Sequence, residues 1–481
     1  MHPILLSLPM AFAAEGTPAL PEVAEAGDRV HQTWSGNLTS SPDRLAQPTT
    51  VDELRAVIRD AVATGATPCV MRGAMHSWSP VAVQDEGTAI DLSRLTFPPV
   101  VDDPARTAAV PGSMLLVDLY AVLVENGLAL SALPMVTTST VAGSAATDSH
   151  GWNLADGHFN HQISQIRLID ARGRDILIDV DGCWEIDGDE RRLLIGGPEA
   201  LASARHHRGV LGAIYQVTFQ GEPTFDLELT ETASREIDAF GEHAERLAAF
   251  LDEADHASVI WFVQRQRVLL RRADRTTLPP KPRKALAKVV VDDWIRTRLA
   301  SGFLQLSRHS PPLTGLFNAL ASTSFPRRRV FRDRWDIILT YLPGHATTGV
   351  GLRLMEYGIP LDHLERALEL VREGVRGFRM PMPMGIRRGG DQVFLEFMWQ
   401  RDYPGAEEVA RGLERRFVDE FGADAVPHDG KLFWENPWPR VPAAERASFL
   451  ALRAELDPAG VFTNEYMRHY LAGKALRPGT P

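Results

Sequence analysis

Ser139-Thr140-Val141-Ala142-Gly143-Ser144-Ala145-Ala146-Thr147-Asp148-Ser149-His150-Gly151 is a long run of small and hydroxylic residues, too poor in bulk to fill a core. A second stretch of the same character lies upstream, Arg72-Gly73-Ala74-Met75-His76-Ser77-Trp78-Ser79-Pro80. Small residues let backbone N–H groups approach a phosphate closely, and a nest of such groups binds an anion without a side-chain charge. Read singly, each stretch is also compatible with an ordinary connection. Neither contains a G-x-G-x-x-G or Walker pattern, so Rossmann and P-loop readings have no support.

Working outward, Arg72 to Pro80, the first of the two loops in chain order, sits between two short expected strands, Pro68 to Met71 and Thr88 to Leu92. Before them, Leu54, Val57, Ile58, Ala61 and Val62 recur at helical spacing. Thr50 and Glu53 fit a capping box and Gly65 a C-cap, which predicts a helix from Val51 to Thr64. Ser113 is the expected cap of a helix reaching Glu125. Ser164 to Ile169 and Ile176 to Val180 read as a hairpin about Ala171-Arg172-Gly173-Arg174, followed by a strand over Leu211 to Phe219. From Pro223 onward helices are expected over Asp238 to Ala254, Leu361 to Gly374 and Pro442 to Leu456. Strands are expected over Asp336 to Tyr341 and Gln392 to Trp399. The fold class is α+β.

Several segments together resemble the vanillyl-alcohol-oxidase-type (PCMH-type) FAD-linked oxidases, in the sugar-lactone and alditol oxidase branch. Thr33-Trp34-Ser35-Gly36-Asn37 is similar to that branch's Trp-x-Gly-Asn opening, Met75 to Pro80 to its Gly-His-Ser loop, and Ser139 to Gly151 to its Ser-x-Val-Ala-Gly…His-Gly loop. Gly209-Val210-Leu211-Gly212, Pro427-His428-Asp429-Gly430-Lys431 and Leu456-Asp457-Pro458 through Tyr466 resemble its later elements. The resemblance implies an FAD-binding domain over 30–222, an inserted α+β cap or substrate domain over 223–426, and a return to the FAD domain over 427–481. It implies extended FAD held by Arg72, Gly73, Ala74, Met75, His76, Ser77, Ser139, Thr140, Ala142, Gly143, Ala146, Thr147, His150, Gly151, Ile214 and Asn464. In this branch the histidine at the position of His76 is often joined covalently to the flavin, which makes the cofactor a better hydride acceptor; the alternative for His76 is a hydrogen-bonded loop histidine beside a non-covalent flavin.

The substrate side departs from the branch. Polyol-oxidising relatives carry Glu-x-Arg where this chain has Gly385-Ile386-Arg387. Arg387 fits the arginine, and Gly385 stands where the glutamate is expected. Met135 replaces a small hydroxylic residue, Glu396-Phe397-Met398-Trp399 replaces a more polar pattern, and Lys431 is kept. The expected catalytic groups are therefore Arg387 and Lys431, with Glu396 as a displaced general base; its other reading is a strand residue facing solvent. Met135, Met384 and Met398 are expected to line a substrate pocket of adaptable thioethers. Asp148 replaces a common glycine and either points away from the pyrophosphate or weakens its binding.

The function this implies is transfer of a hydride from a hydroxyl-bearing carbon to flavin N5, with oxygen or another acceptor taking the electrons. Two alternatives stay open: amine oxidation or oxidative cyclisation of a larger apolar metabolite, and flavin binding without turnover. The formal charge of the 481-residue chain is −11, which argues against a nucleic-acid partner. Two cysteines, Cys69 and Cys183, are too few for a disulfide framework or a cysteine-rich metal site, and no metal is expected. Residues 264–334 hold 17 Lys and Arg against 4 Asp. This stretch reads as a solvated face, or as a membrane-surface patch because Phe303, Leu304, Leu306, Leu313, Leu316 and Phe317 lie among the charges. The compartment expected is the cytoplasm; Met1 to Ala14 resembles the end of a secretion signal but lacks a Lys/Arg n-region.

Overall fold

The computed structural model describes residues 30–155, 157–282, 311–325, 327–340 and 351–477. Three strands, Arg44–Ala46, Thr88–Asp91 and Cys69–Arg72, form a small parallel sheet with Thr88–Asp91 at its centre. Helix Val51–Thr64 crosses between two of them. The Thr50 hydroxyl accepts from the Glu53 N–H, the Glu53 carboxylate accepts from the Thr49 N–H, and Gly65 closes the helix at φ 71°. Its buried face is Leu54, Val57, Ile58 and Ala61. Val62 is exposed, one step off the stripe expected of it.

A seven-stranded antiparallel sheet follows. Its order is Glu190–Gly196, Gly182–Asp187, Asp175–Asp179, Ile163–Ile169, Ala213–Gln220, Thr107–Pro111 and Val100–Asp102. After Glu222–Pro223 the chain enters an eight-stranded antiparallel sheet. Its order is Arg328–Arg334, Asp226–Arg235, Arg267–Thr276, His256–Phe262, Met384–Gly389, Gln392–Gln400, Leu352–Pro360 and Val426–Pro427. One hydrophobic core runs through both large sheets, and a smaller one gathers round helix Val51–Thr64 with Val461 and Phe462 from the far end of the chain.

The last segment returns to the first. Cys69 N–H donates to Val461 O at 2.7 Å and Ala171 N–H to Leu456 O at 3.1 Å. Asp457 is buried, and its carboxylate accepts from the Val461 and Phe462 N–H groups at 2.7 and 3.0 Å. This ties the turn that the Leu-Asp-Pro motif begins.

Some expected elements differ. The helix expected from Ser113 runs over Leu116–Glu125, and Leu115 occupies its cap. Asp336 to Tyr341 is not a strand: Trp335–Thr340 is helical, because Trp335, Ile338 and Leu339 bury one side at helical spacing. The helix expected over Asp238 to Ala254 is two, Glu236–Phe240 and Glu245–Glu253, separated by Gly241 at φ 81°. In the basic stretch, Arg271 and Arg329 pair with Glu231, Arg332 with Glu228 and Arg275 with Glu222. Much of its described charge is thus neutralised within the eight-stranded sheet. Phe303, Leu304 and Leu306, like Met1 to Ala14, lie outside the described residues; on helix Pro311–Ser324, Leu316 is 51% exposed. Among the described residues no helix is long and apolar enough to cross a membrane. Both cysteines are buried and unpaired with each other.

Candidate active site

A cavity of about 1060 Å³ runs between the two large sheets, and both small-residue loops line it. The first loop is pinned from three directions. Asn37 takes hydrogen bonds from Thr33 Oγ1 and Ser35 Oγ at 2.7 and 2.6 Å, and its amide donates to Trp78 O at 2.8 Å. Trp34 N–H donates to Met75 O at 2.8 Å, and Met75 itself sits at φ 54°. Trp78 N–H donates to Gly430 O, and the Trp78 indole N–H to Leu352 O at 2.7 Å. The Trp-x-Gly-Asn and Pro-His-Asp-Gly-Lys segments therefore act as clamps on this loop.

The two loops meet at one hydroxyl. Thr140 Oγ1 accepts from the Gly143 N–H at 3.2 Å. A Cβ on Gly73 or on Gly143 would fall 2.7 Å from that oxygen. Beside them, a Cβ on Gly112 would fall 2.7 Å from Ile214 O. These glycines are required by the close approach of the Thr140 hydroxyl and the Ile214 carbonyl, which keeps bare backbone along the cavity wall.

Of the residues expected to hold the cofactor, Arg72 through Ser77, Ser139, Thr140, Ala142, Gly143, Ala146, Thr147, His150 and Ile214 line the cavity. His76 Nε2 lies 2.9 Å from Thr138 Oγ1. Gly151 and Asn464 are not in the lining. Gly151 packs its Cα against the Leu133 backbone, where a Cβ would fall 2.7 Å from Leu133 O. Asn464 caps helix Glu465–Leu471 and donates to Pro80 O and Val83 O at 2.9 and 2.8 Å, so it holds the end of the first loop from behind. Asp148 also faces away from the cavity. At φ 54° it takes the conformation that favours glycine, and its carboxylate bonds Asn160 and His158. Burial would raise this carboxyl, but His158 and His206 outweigh it and hold it well below the usual range.

At the other end of the cavity the eight-stranded sheet supplies charge. Successive side chains of a strand point to opposite faces. Arg387 on Met384–Gly389, Glu396 and Met398 on Gln392–Gln400, and Leu352, Leu354 and Glu356 on Leu352–Pro360 all face inward. Met384 does not: it is one residue out of phase with Arg387 and lies in the core, and Met382 lines the cavity instead. Met135 lines it as expected.

Arg387 bridges two carboxylates. It donates to Glu356 Oε1 at 3.0 Å and pairs with Glu396 through its other terminal nitrogen. Both acids are buried, Glu396 at 4% exposure, so this residue does not face solvent. Burial opposes the Arg387 charge, and Glu396 and Glu356 overcome that, holding it above its ordinary value. His150 Nε2 approaches Glu356 Oε1 at 3.3 Å, and its ring stacks on Phe394 at 3.6 Å between centroids. Burial would raise the Glu356 carboxyl, yet His150, Arg387 and Lys431 keep it well below the carboxylate range. Lys431 Nζ sits 4.7 Å from the Trp78 ring centroid. Burial pulls its ammonium below the ordinary value, against the pull of Glu356 and Glu396.

Glu356 and His428 were not picked out from sequence as site residues. A lone acid within Leu352-Arg353-Leu354-Met355-Glu356-Tyr357, an otherwise apolar run apart from Arg353, is the signal that marks the first. Ligand atoms of His150, Glu356 and His428 lie within 4.8 Å of one another. The arrangement is a poor cation site. Gly430 N–H donates to His428 Nδ1, which leaves the proton of the neutral ring on Nε2, and Arg387 and Lys431 already neutralise Glu356.

Residues 42–177 match a family model described as an FAD binding domain, and residues 217–404 match one described as D-arabinono-1,4-lactone oxidase. The chain is 28% identical over 456 residues to L-gulono-1,4-lactone dehydrogenase of Mycobacterium tuberculosis, covering 92% of this chain and 99% of that one. It is 28% identical over 466 residues to alditol oxidase of a Streptomyces species, covering 92% and 98%. L-gulonolactone oxidase of Bos taurus is 26% identical over 459 residues, covering 91% and 97%. Among solved structures, cholesterol oxidase from B. sterolicum superposes with a TM-score of 0.74 at 16% identity, covering 95% of this chain and all of that one, a likeness of fold.

Proposed function

Because the chain belongs to the vanillyl-alcohol-oxidase-type FAD-linked oxidases, in the branch of the sugar-lactone and alditol enzymes, we propose that it is an FAD-dependent oxidoreductase acting on a hydroxyl-bearing carbon. One observation carries the reading: a single cavity joins the glycine-lined channel around Thr140 to the buried cluster of Arg387, Glu396, Glu356 and Lys431. We read 30–222 with 427–481 as the cofactor half and 223–426 as the substrate half; the inter-sheet position of the cavity supports this.

The residues fit FAD. Gly73, Gly143 and Gly112 pack so closely that a Cβ on any of them would meet Thr140 Oγ1 or Ile214 O at 2.7 Å, which keeps bare backbone of both loops side by side along the cavity, and His76 stands in its wall. When bound, FAD supplies the hydride acceptor at N5 and passes the electrons to oxygen or another acceptor. Backbone groups of the two loops would hold the pyrophosphate. Arg387 and Lys431 bring positive charge to the reacting end, where preorganised cations favour negative charge that develops during reduction. A carboxylate there receives the hydroxyl proton.

The substrate is less polar than a sugar lactone or polyol. Met135, Val136, Met382, Met398, Leu352 and Leu354 line that end of the cavity, so few groups remain to pair with extra hydroxyls. The test is anaerobic mixing of the purified yellow protein with benzyl alcohol, L-gulono-1,4-lactone and xylitol. Bleaching is expected, fastest with benzyl alcohol. Protein that stays colourless with added FAD removes the reading, and fastest bleaching by xylitol or the lactone removes its substrate part.

A further inference from the structure

Gly385, Glu396 and Glu356 stand side by side on three neighbouring strands: Gly385 pairs with Glu396, and Glu396 pairs with Glu356. Residues opposite one another in register present their side chains to the same face. Gly385 has no side chain to present. A Cβ built on it would fall 3.2 Å from Glu396 Cβ and 3.5 Å from Glu396 Oε2. The Glu396 side chain therefore lies against the position a side chain at 385 would take, its Cβ close and its carboxyl in van der Waals contact. From there it pairs with Arg387, two residues along the same face.

We propose that Glu396 is the proton acceptor of the reaction, delivered across the strand pair into the gap left by Gly385, and that Glu356 is a positioning residue that holds Arg387 and His150. This rests on the function proposed above. The substrate carbinol loses a hydride to the cofactor and its hydroxyl proton to Glu396, its C–O bond becomes C=O, and re-ionisation of the carboxyl returns the proton to water. Two carboxylates share Arg387, and their surroundings separate their roles. Glu356 Oε1 is occupied by Arg387 and His150, and the charges around it make it a weak base. Glu396 has Arg387 as its charged partner and, lining the same cavity as Glu356, shares its strand face with Met398 two residues on.

The arrangement implies that the same carboxylate can be supplied from either strand. Gly385 does not adopt a positive φ, so a side chain is tolerated there once Glu396 is shortened. The experiment compares Glu396→Gln, Glu356→Gln and the moved carboxylate Gly385→Glu/Glu396→Gly in the flavin-loaded protein. Two readouts are used: flavin reduction by benzyl alcohol in stopped flow, and the midpoint potential of the bound flavin. E396Q is expected to slow reduction by about 100-fold or more, as for loss of a general base. It should also raise the potential, because one negative charge beside the flavin is gone. Gly385→Glu/Glu396→Gly should recover at least tenfold of the rate and return the potential towards wild type. Gly385→Glu placed in E356Q should recover nothing. E396Q reducing within threefold of wild type overturns the proposal, as does E356Q losing more rate than E396Q. If no alcohol bleaches the wild type, the potential still decides: unchanged potential in E396Q overturns the placement, whereas absent flavin overturns the function proposed above.

Discussion

Glu356 accepts from Arg387 at 3.0 Å through the same oxygen, Oε1, that His150 approaches at 3.3 Å. One carboxylate thus joins the second small-residue loop to the charged end of the cavity. Glu356→Gln keeps the shape and removes the charge. It is expected to destabilise the protein by about 1–3 kcal/mol, because buried cationic partners lose a charge-assisted hydrogen bond. Guanidinium unfolding of the flavin-loaded protein measures this, and an unchanged midpoint would show that the link carries no stability.

Arg387→Ala and Lys431→Ala should stay yellow and lose reductive rate. Neither residue belongs to the two loops, so retention of FAD should not depend on them. Loss of a preorganised charge partner costs on the order of 3 kcal/mol of transition-state stabilisation, about a hundredfold in rate. Stopped-flow bleaching checks it. A colourless variant would move that residue into cofactor binding or folding.

After acid precipitation the flavin should remain with wild-type protein, and His76→Ala should release it to the supernatant. His76 lines the cavity beside Trp34, with Nε2 engaged by Thr138. Wild-type flavin found wholly in the supernatant would leave FAD in place and remove the covalent bond.

Gly73→Ala should lower the yield of yellow protein at least tenfold. The added methyl would meet Thr140 Oγ1 at 2.7 Å, and that oxygen is already committed to the Gly143 N–H. The bound flavin per protein, read from the visible to ultraviolet absorbance ratio, reports the loss. A wild-type ratio would mean the loops can part without cost.

Stability should fall as pH drops below about 6.5. Burial lowers His207 and His428 to about 3, so the unfolded chain takes up protons there that the folded chain refuses. Each such group removes up to about 1.4 kcal/mol per pH unit between its unfolded and folded values. Asp429, held at about 2 by Arg208 and His206 against the opposing effect of burial, adds to the loss below about pH 4. His158 runs the other way: Asp148 raises it against burial, so its contribution is complete below the ordinary histidine value and fades as pH rises through the raised one. Melting temperature against pH should fall between 6 and 4.5, and His428→Asn should flatten that slope.

Local chemistry made some of this legible from sequence. Thr50, Glu53 and Gly65 mark both ends of one helix, and the two loops stand out because nothing bulky interrupts them. The placement of Arg387 also decides its neighbours by strand parity: 385 shares its face and 384 cannot, so Met384 belonged in the core from the outset. Glu356 is marked in sequence only as a lone acid in an apolar run, and its role arises from tertiary contacts. Its partners are 31 and 206 residues distant in sequence, and no local pattern announces a pairing that three strands create. The helix Trp335–Thr340 stands where a strand is expected over Asp336 to Tyr341, because so short an apolar-rich run suits either period and packing of Trp335 decides for the helix.

Some of the bonds that hold the first loop come from the end of the chain: Trp78 to Gly430, and Asn464 to Pro80 and Val83. A ribosome completes both small-residue loops when less than a third of the protein is made, yet the C-terminal part of the first loop's fastening is still untranslated. The first loop therefore reaches its full set of bonds only when nearly all of the chain is made. A chain cut short before Asn464 would carry both loops and lack the side chain that fastens Pro80 and Val83.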